Sequence, residues 1–179
     1  MTQIRQLACA CGQVRLEVNG AAIISTECHC DSCRAAAARL QRLPGAPPFQ
    51  DSNGGTRSVL YRKDRVRFVS GAEVLKTLRL TPASKTRRVV ATCCNTPVFM
   101  EFANGHWLDL YGCLWPKGTL PPLDLRTMTG DLADASALPD DVPNARRQSL
   151  LFYAKLMGAW IAMGFRVPKI TLAGGSIHA

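Results

Sequence analysis

The sequence predicts a mostly β, single-domain fold with a helix appended near its end. Three observations carry this. Through about residue 118 the apolar residues come in short runs, several alternating with polar ones at the period of a half-buried strand. Turn-forming pairs punctuate the runs, among them Asn19-Gly20, Ser70-Gly71 and Asn104-Gly105. Helical spacing of apolar residues is sustained only in the tail, over residues 144–165.

Taken in order, Cys9-Ala10-Cys11-Gly12 reads as a tight turn in which Gly12 takes the positive φ that other residues resist. Residues 13–18 alternate polar and apolar, and Asn19-Gly20 predicts a hairpin with residues 21–26 as the returning strand. That strand delivers Glu27 and the cysteine-rich stretch, after which the alanine-rich residues 34–40 predict a short helix. Residues 43–56 form a connection, broken by Pro44, Pro47, Pro48 and Asn53-Gly54-Gly55. Strands follow near residues 58–61, 66–69, 75–80, 87–91, 98–102 and 107–111, the last two joined at Asn104-Gly105. Residues 120–143, rich in Pro and Asp, read as a linker or wrapping loop. In the tail helix Tyr153, Leu156, Met157, Trp160 and Ile161 share one face, Asn144 serves as N-cap and Pro168 ends the element. Its further apolar residues, such as Leu150, Leu151 and Phe152, favour packing on the sheet over a dimer or membrane-surface contact.

A chain of 179 residues with 47% apolar content is long enough to bury a core and excludes a disordered segment. No apolar run follows Met1-Thr2-Gln3-Ile4-Arg5, so no secretory signal is expected, and no stretch reaches the roughly 18 apolar residues of a membrane span. The expectation is a cytoplasmic protein with no membrane partner. The formal charge is +9, and residues 57–88 alone hold ten Lys and Arg against Asp64 and Glu73. Such a stretch attracts an anion, a carboxylate-bearing substrate or nucleic acid, or else forms solvated strand faces.

The chemistry lies in the cysteines. Eight in a reducing compartment read as metal ligands rather than as a disulfide frame. Cys28, Cys30 and Cys33, spaced C-x-C-x-x-C, fall too close together for a core to need them. A divalent ion gives the backbone a reason to turn there, and three protein ligands leave one corner open for water or a substrate thiol. Cys9 and Cys11 pair with the loop at Cys93-Cys94 in a second, closed site that clips together turns about eighty residues apart. Two zinc ions per chain are thus expected, one structural and one catalytic.

In order and spacing, Cys9-Ala10-Cys11-Gly12-Gln13-Val14-Arg15, Cys28-His29-Cys30-Asp31-Ser32-Cys33-Arg34 and Cys94-Asn95-Thr96-Pro97-Val98 resemble the glutathione-dependent formaldehyde-activating enzyme and centromere protein V family, over roughly residues 7 to 115. The resemblance implies a zinc-bearing β-tent-like fold of small antiparallel sheets and a carbon–sulfur lyase joining formaldehyde to glutathione. By position it makes Cys28, Cys30 and Cys33 the catalytic zinc ligands and Cys9, Cys11 and Cys94 structural ones. The family's C-x-x-C-G is altered here, with Ala91 at the first cysteine and Asn95 at the glycine, and Cys93 is the substitute fourth ligand. A zinc-binding domain over residues 1–118 and a C-terminal extension over 119–179 follow.

The expected function is zinc-dependent addition or removal of a small carbonyl compound at a thiol such as glutathione, with the basic stretch holding the thiol carrier's carboxylates. The rival is a non-catalytic zinc module that binds nucleic acid or a protein partner. Among the other polar residues, alternation aims His29 away from Cys28 and Cys30. His106 belongs at the surface or a rim, His178 in a loose terminus, and Cys113 among buried apolar neighbours. Asp31 and Ser32 bond the cluster's sulfurs or cap the following helix.

Overall fold

The computed structural model describes residues 4–177 and is mostly β, as the patterning predicts. His178 lies outside the described residues. The smaller sheet holds β1 (Ile4–Ala8), β2 (Arg15–Asn19) and β5 (Val66–Ser70) in the order β1-β2-β5. The larger has seven strands: β3 (Ile24–Cys28), β4 (Thr56–Arg62), β6 (Leu75–Leu78), β7 (Thr86–Ala91), β8 (Thr96–Phe102), β9 (Trp107–Tyr111) and β10 (Leu125–Thr127). Their order is β10-β3-β4-β9-β8-β7-β6, antiparallel except for the β10–β3 pair. Two helices complete the chain, α1 (Asp31–Leu40) and α2 (Leu150–Ala162). Among the described residues no helix is long and apolar enough to cross a membrane.

Period-two alternation assigns the faces of the larger sheet. Val59, Tyr61, Val89, Phe99, Leu108 and Leu110 face the smaller sheet and close a core with Leu7, Leu16 and Val18. Ala37 and Leu40 of α1 pack with Phe49, Leu78, Val90 and Tyr111, whereas Phe152 and Leu156 of α2 pack with Ile24, Leu60 and Leu125. The helices thus attach to the larger sheet through separate apolar clusters.

Several expectations are corrected. The chain does not form a hairpin at Asn19-Gly20. Gly20 turns at φ 76°, both edges of β2 are taken by β1 and β5, and β3 joins the larger sheet. The reason is burial, since Ile24, Ser25, Thr26 and Glu27 are all buried and need neighbours on both sides. The expected linker over 120–143 contains β10, whose residues Leu125, Arg126 and Thr127 pair with Thr26, Glu27 and Cys28. The tail helix starts at Leu150, not 144. Ser149 caps it, its hydroxyl accepting the Phe152 amide at 3.2 Å, while Asn144 donates to the Pro139 carbonyl. Its buried face is Phe152 and Leu156; Tyr153, Met157 and Ile161, expected inside, are exposed. Helix α1 begins at Asp31, three residues before the expected start at 34, because Cys30 supplies its cap. The hairpin at Asn104-Gly105 is as expected, with Asn104 at φ 64°.

Because α2 docks through so few side chains, Phe152→Ala should lower stability to urea by about 3 kcal/mol. The exposed neighbour Leu151→Ala should change it by less than about 0.5 kcal/mol. Equal costs would show that the helix does not pack through the Phe152 face.

Candidate metal centre

The structure gathers seven of the eight cysteines into two groups, with the sulfurs of each within 4.8 Å of one another. Cys9, Cys11, Cys93 and Cys94 form the first. Cys9 and Cys11 flank the β1–β2 turn, where Gly12 sits at φ 78° and its amide donates to the Cys9 carbonyl at 2.9 Å. Cys93 and Cys94 lie in the β7–β8 turn, closed by Asn95 at φ 54°, the left-handed geometry that asparagine tolerates better than most residues. That reversal lets adjacent cysteines share one site. The Cys9–Cys11, Cys9–Cys93, Cys11–Cys93 and Cys93–Cys94 sulfurs are 3.5, 3.8, 3.4 and 3.9 Å apart. A tetrahedral ion with metal–sulfur bonds of about 2.3 Å sets its ligands about 3.8 Å apart, so the donor set fits. Thr96 ties the two turns together, its hydroxyl accepting the Ala10 amide at 3.1 Å and lying 3.0 Å from the Cys94 sulfur.

Cys28, Cys30 and Cys33 form the second group. Cys28 ends β3, and Cys30 is the N-cap of α1, its sulfur accepting the Cys33 amide at 3.3 Å. Cys33 occupies the first turn, so C-x-C-x-x-C is a strand end, a cap and a helix start folded onto one point. Hydrogen bonds from the Cys28 and Cys33 thiols pull the Cys30 pKa down to about 2, and the same contacts push Cys28 up to about 11 and Cys33 up as well. An ion bound here would displace the protons of these thiols.

A charged network braces this turn from behind. Glu27, on the opposite side of β3 from Cys28, accepts hydrogen bonds from His29 Nε2 at 2.7 Å, Asn53 Nδ2 at 2.7 Å and Arg126 Nε at 3.2 Å. Burial opposes its charge, but these partners hold its pKa at about 2. His29 therefore points away from the sulfurs, as alternation predicts, and is fully buried. A Cβ on Gly55 would meet Glu27 Cγ at 2.5 Å, so only glycine lets the 51–55 loop close over the carboxylate.

The second group opens onto a cavity of about 440 Å³ on the helix side of the larger sheet. Successive strands each contribute a same-face pair: Thr26 and Cys28, Ser58 and Leu60, Trp107 and Asp109, Met100 and Phe102, Thr86 and Arg88. Phe152, Tyr153 and Leu156 of α2 also line it. Asp109 is buried, with the Trp107 indole N–H donating to it at 3.1 Å. Burial raises its pKa to about 7 despite that bond and the Arg88 charge. Neither Asp109 nor the α2 wall was singled out from sequence. The available signal was a carboxylate alternating with Trp107 and Tyr111 along β9.

The basic stretch is not one surface. Lys63 and Arg87 pair with Glu101, Arg62 with Asp64, Arg67 with Glu17, and Arg88 is buried. His106, expected at a rim, is also buried. Its ring stacks on Trp160 and Nε2 lies 2.9 Å from the Leu156 carbonyl, because α2 covers it. Cys113 is half-buried and belongs to neither thiol group.

Fold and site together define a two-sheet β protein with two thiol groups that can hold metal ions, one of them opening on a cavity. Residues 1–112 match the model of DUF6151, a family of unknown function, and the chain belongs to that family. No curated protein matches it. Among solved structures, the crystal structure of a Rhodobacter sphaeroides protein, a structural-genomics target, is 17% identical with a TM-score of 0.47, over 78% of this chain and 99% of that one.

Metal analysis of purified protein should find an ion for each of the two groups. Cys28→Ser should lose one ion and still unfold cooperatively, whereas Cys11→Ser should lose the other and lower Tm. A second expectation concerns pH. Asp109 has a folded-state pKa of about 7, above its ordinary 3.8, so folding favours its protonated form. Its contribution is complete below about pH 4 and is lost as pH rises through 7. Wild-type stability relative to Asp109→Asn should fall over that interval, with a slope approaching about 1.4 kcal/mol per pH unit. A flat difference would place Asp109 in a wetter setting.

Proposed function

We propose that the protein is a zinc-dependent enzyme of the carbon–sulfur lyase type. It would add a thiol such as glutathione to a small carbonyl compound such as formaldehyde, or reverse that addition. The observation that carries this reading is a group of three sulfurs, Cys28, Cys30 and Cys33, on the wall of a cavity of small-molecule size. Three thiolates leave a position for a ligand, whereas the four-sulfur group has the make-up of a closed structural site. The resemblance of the cysteine segments to the formaldehyde-activating family supports the same chemistry.

When bound, zinc supplies a lowered pKa to a thiol at its remaining position. The residues of the chain provide the setting. Leu60, Met100 and Phe102 give the cavity an apolar wall. As the carbon–sulfur bond forms, the proton lost by the thiol passes to the carbonyl oxygen and the C=O double bond becomes a hydroxyl. Cleavage reverses each transfer.

Cobalt in place of zinc tests this. Glutathione should perturb the visible bands of the cobalt protein, and Cys28→Ser should abolish that response. Unchanged bands in the wild-type protein at millimolar glutathione would remove thiol binding at the metal from the mechanism.

A further inference from the structure

Arg88 is the only basic side chain lining the cavity among the described residues, and it is 1% exposed. Its Nη2 is committed, donating to the Ser32 carbonyl at 3.1 Å and the Ser32 hydroxyl at 2.9 Å. That bond anchors the first turn of α1 between Cys30 and Cys33. Its Nε and Nη1 are buried and have no hydrogen-bond partner. An anchor for Ser32 needs one donor group, and a guanidinium brings more. Leaving charged donors buried and unpaired is costly unless something negative meets them. Asp109 does not form that pair. In the sheet register Arg88 stands opposite Met100 and Met100 opposite Asp109, so a whole strand separates the two charges.

Much of the remaining exposed lining is apolar, contributed by Leu60, Met100, Phe102, Trp107, Phe152 and Leu156. We propose that the molecule received by this cavity is a small organic acid, with an apolar body against those side chains and one carboxylate on the free N–H groups of Arg88. This rests on the thiol–carbonyl reading above and deepens it, because the acid is the reactant that carries the thiol or the carbonyl. Among the described residues one fixed cation faces the cavity, and the one carboxyl lining it, Asp109, is already engaged by Trp107.

The test uses 4-phenylbutyrate and its neutral amide, two probes of one shape that carry neither thiol nor aldehyde, titrated by calorimetry into the metal-loaded full chain. The acid should bind at least about tenfold more tightly than the amide. Arg88→Met, compared with the wild type at equal metal loading, should abolish that preference while leaving amide affinity unchanged. Equal affinity of the two probes for the wild-type protein, or binding of neither, overturns the proposal, and both are read without any variant. An acid preference that survives in Arg88→Met, or 4-phenylbutyrate shifting the visible bands of the cobalt protein, also overturns it, since the metal would then be taking the carboxylate. The glutathione response of the cobalt protein is scored separately, so loss of the anion subsite and loss of the thiol chemistry are distinguishable.

Discussion

The larger sheet has two unlike faces, and the site depends on that alternation. Strand geometry sends successive residues to opposite sides. Val59 enters the sandwich core and Leu60 the cavity wall, Phe99 the core and Met100 the wall, Leu108 the core and Asp109 the wall. A polar or titratable side chain can therefore stand at every second position without disturbing the packing behind it. Arg88 and Asp109 are tolerated inside the molecule for this reason. Each is flanked by residues that belong wholly to the dry face, such as Val89 and Leu110. A slip of one residue in β7 or β9 would put these charges into the sandwich core and apolar side chains into the cavity.

The thiol groups fix the ends of this arrangement. The first joins the β1–β2 turn to the β7–β8 turn, with Cys9 and Cys93 84 positions apart. It thereby ties the smaller sheet to the larger at one rim. Closing so long a loop restricts the unfolded chain more than a local clip would. The second group closes only a six-residue stretch, so its contribution to chain entropy is small. Its position is set instead by the network behind it, where Glu27 draws His29, Asn53 and Arg126 together from three separate segments.

The thiol clusters were legible because metal ligation is written in local spacing. C-x-C with glycine, C-x-C-x-x-C and an adjacent pair each announce a turn whatever surrounds it. The strands after Thr56 were legible for the same local reason, as alternation needs only a few residues. What stayed hidden depended on partners distant in sequence. Residues 125–127 carry too short a run to read as a strand, and they become one by pairing with buried β3. The face of α2 was misread because the helix is apolar nearly all round, so periodicity could not choose between Tyr153 and Phe152. Arg88 was hidden in a run of basic residues whose members differ only in what the fold places opposite them.

The thiol groups and the α2 side of the cavity come from different parts of this chain. All seven clustered thiols lie within residues 1–112, the portion that matches the family model, as do Arg88 and Asp109. Thr127, Phe152, Tyr153 and Leu156, which complete the cavity wall, lie beyond it. With β10 and α2 in place, the space in front of Cys28, Cys30 and Cys33 is walled by apolar side chains. Fewer water molecules there mean weaker screening, so the field of a single guanidinium acts on whatever enters. Burial raises the Asp109 pKa toward neutrality, and in the same poorly screened space the Arg88 guanidinium would attract an anion more strongly than it would in water.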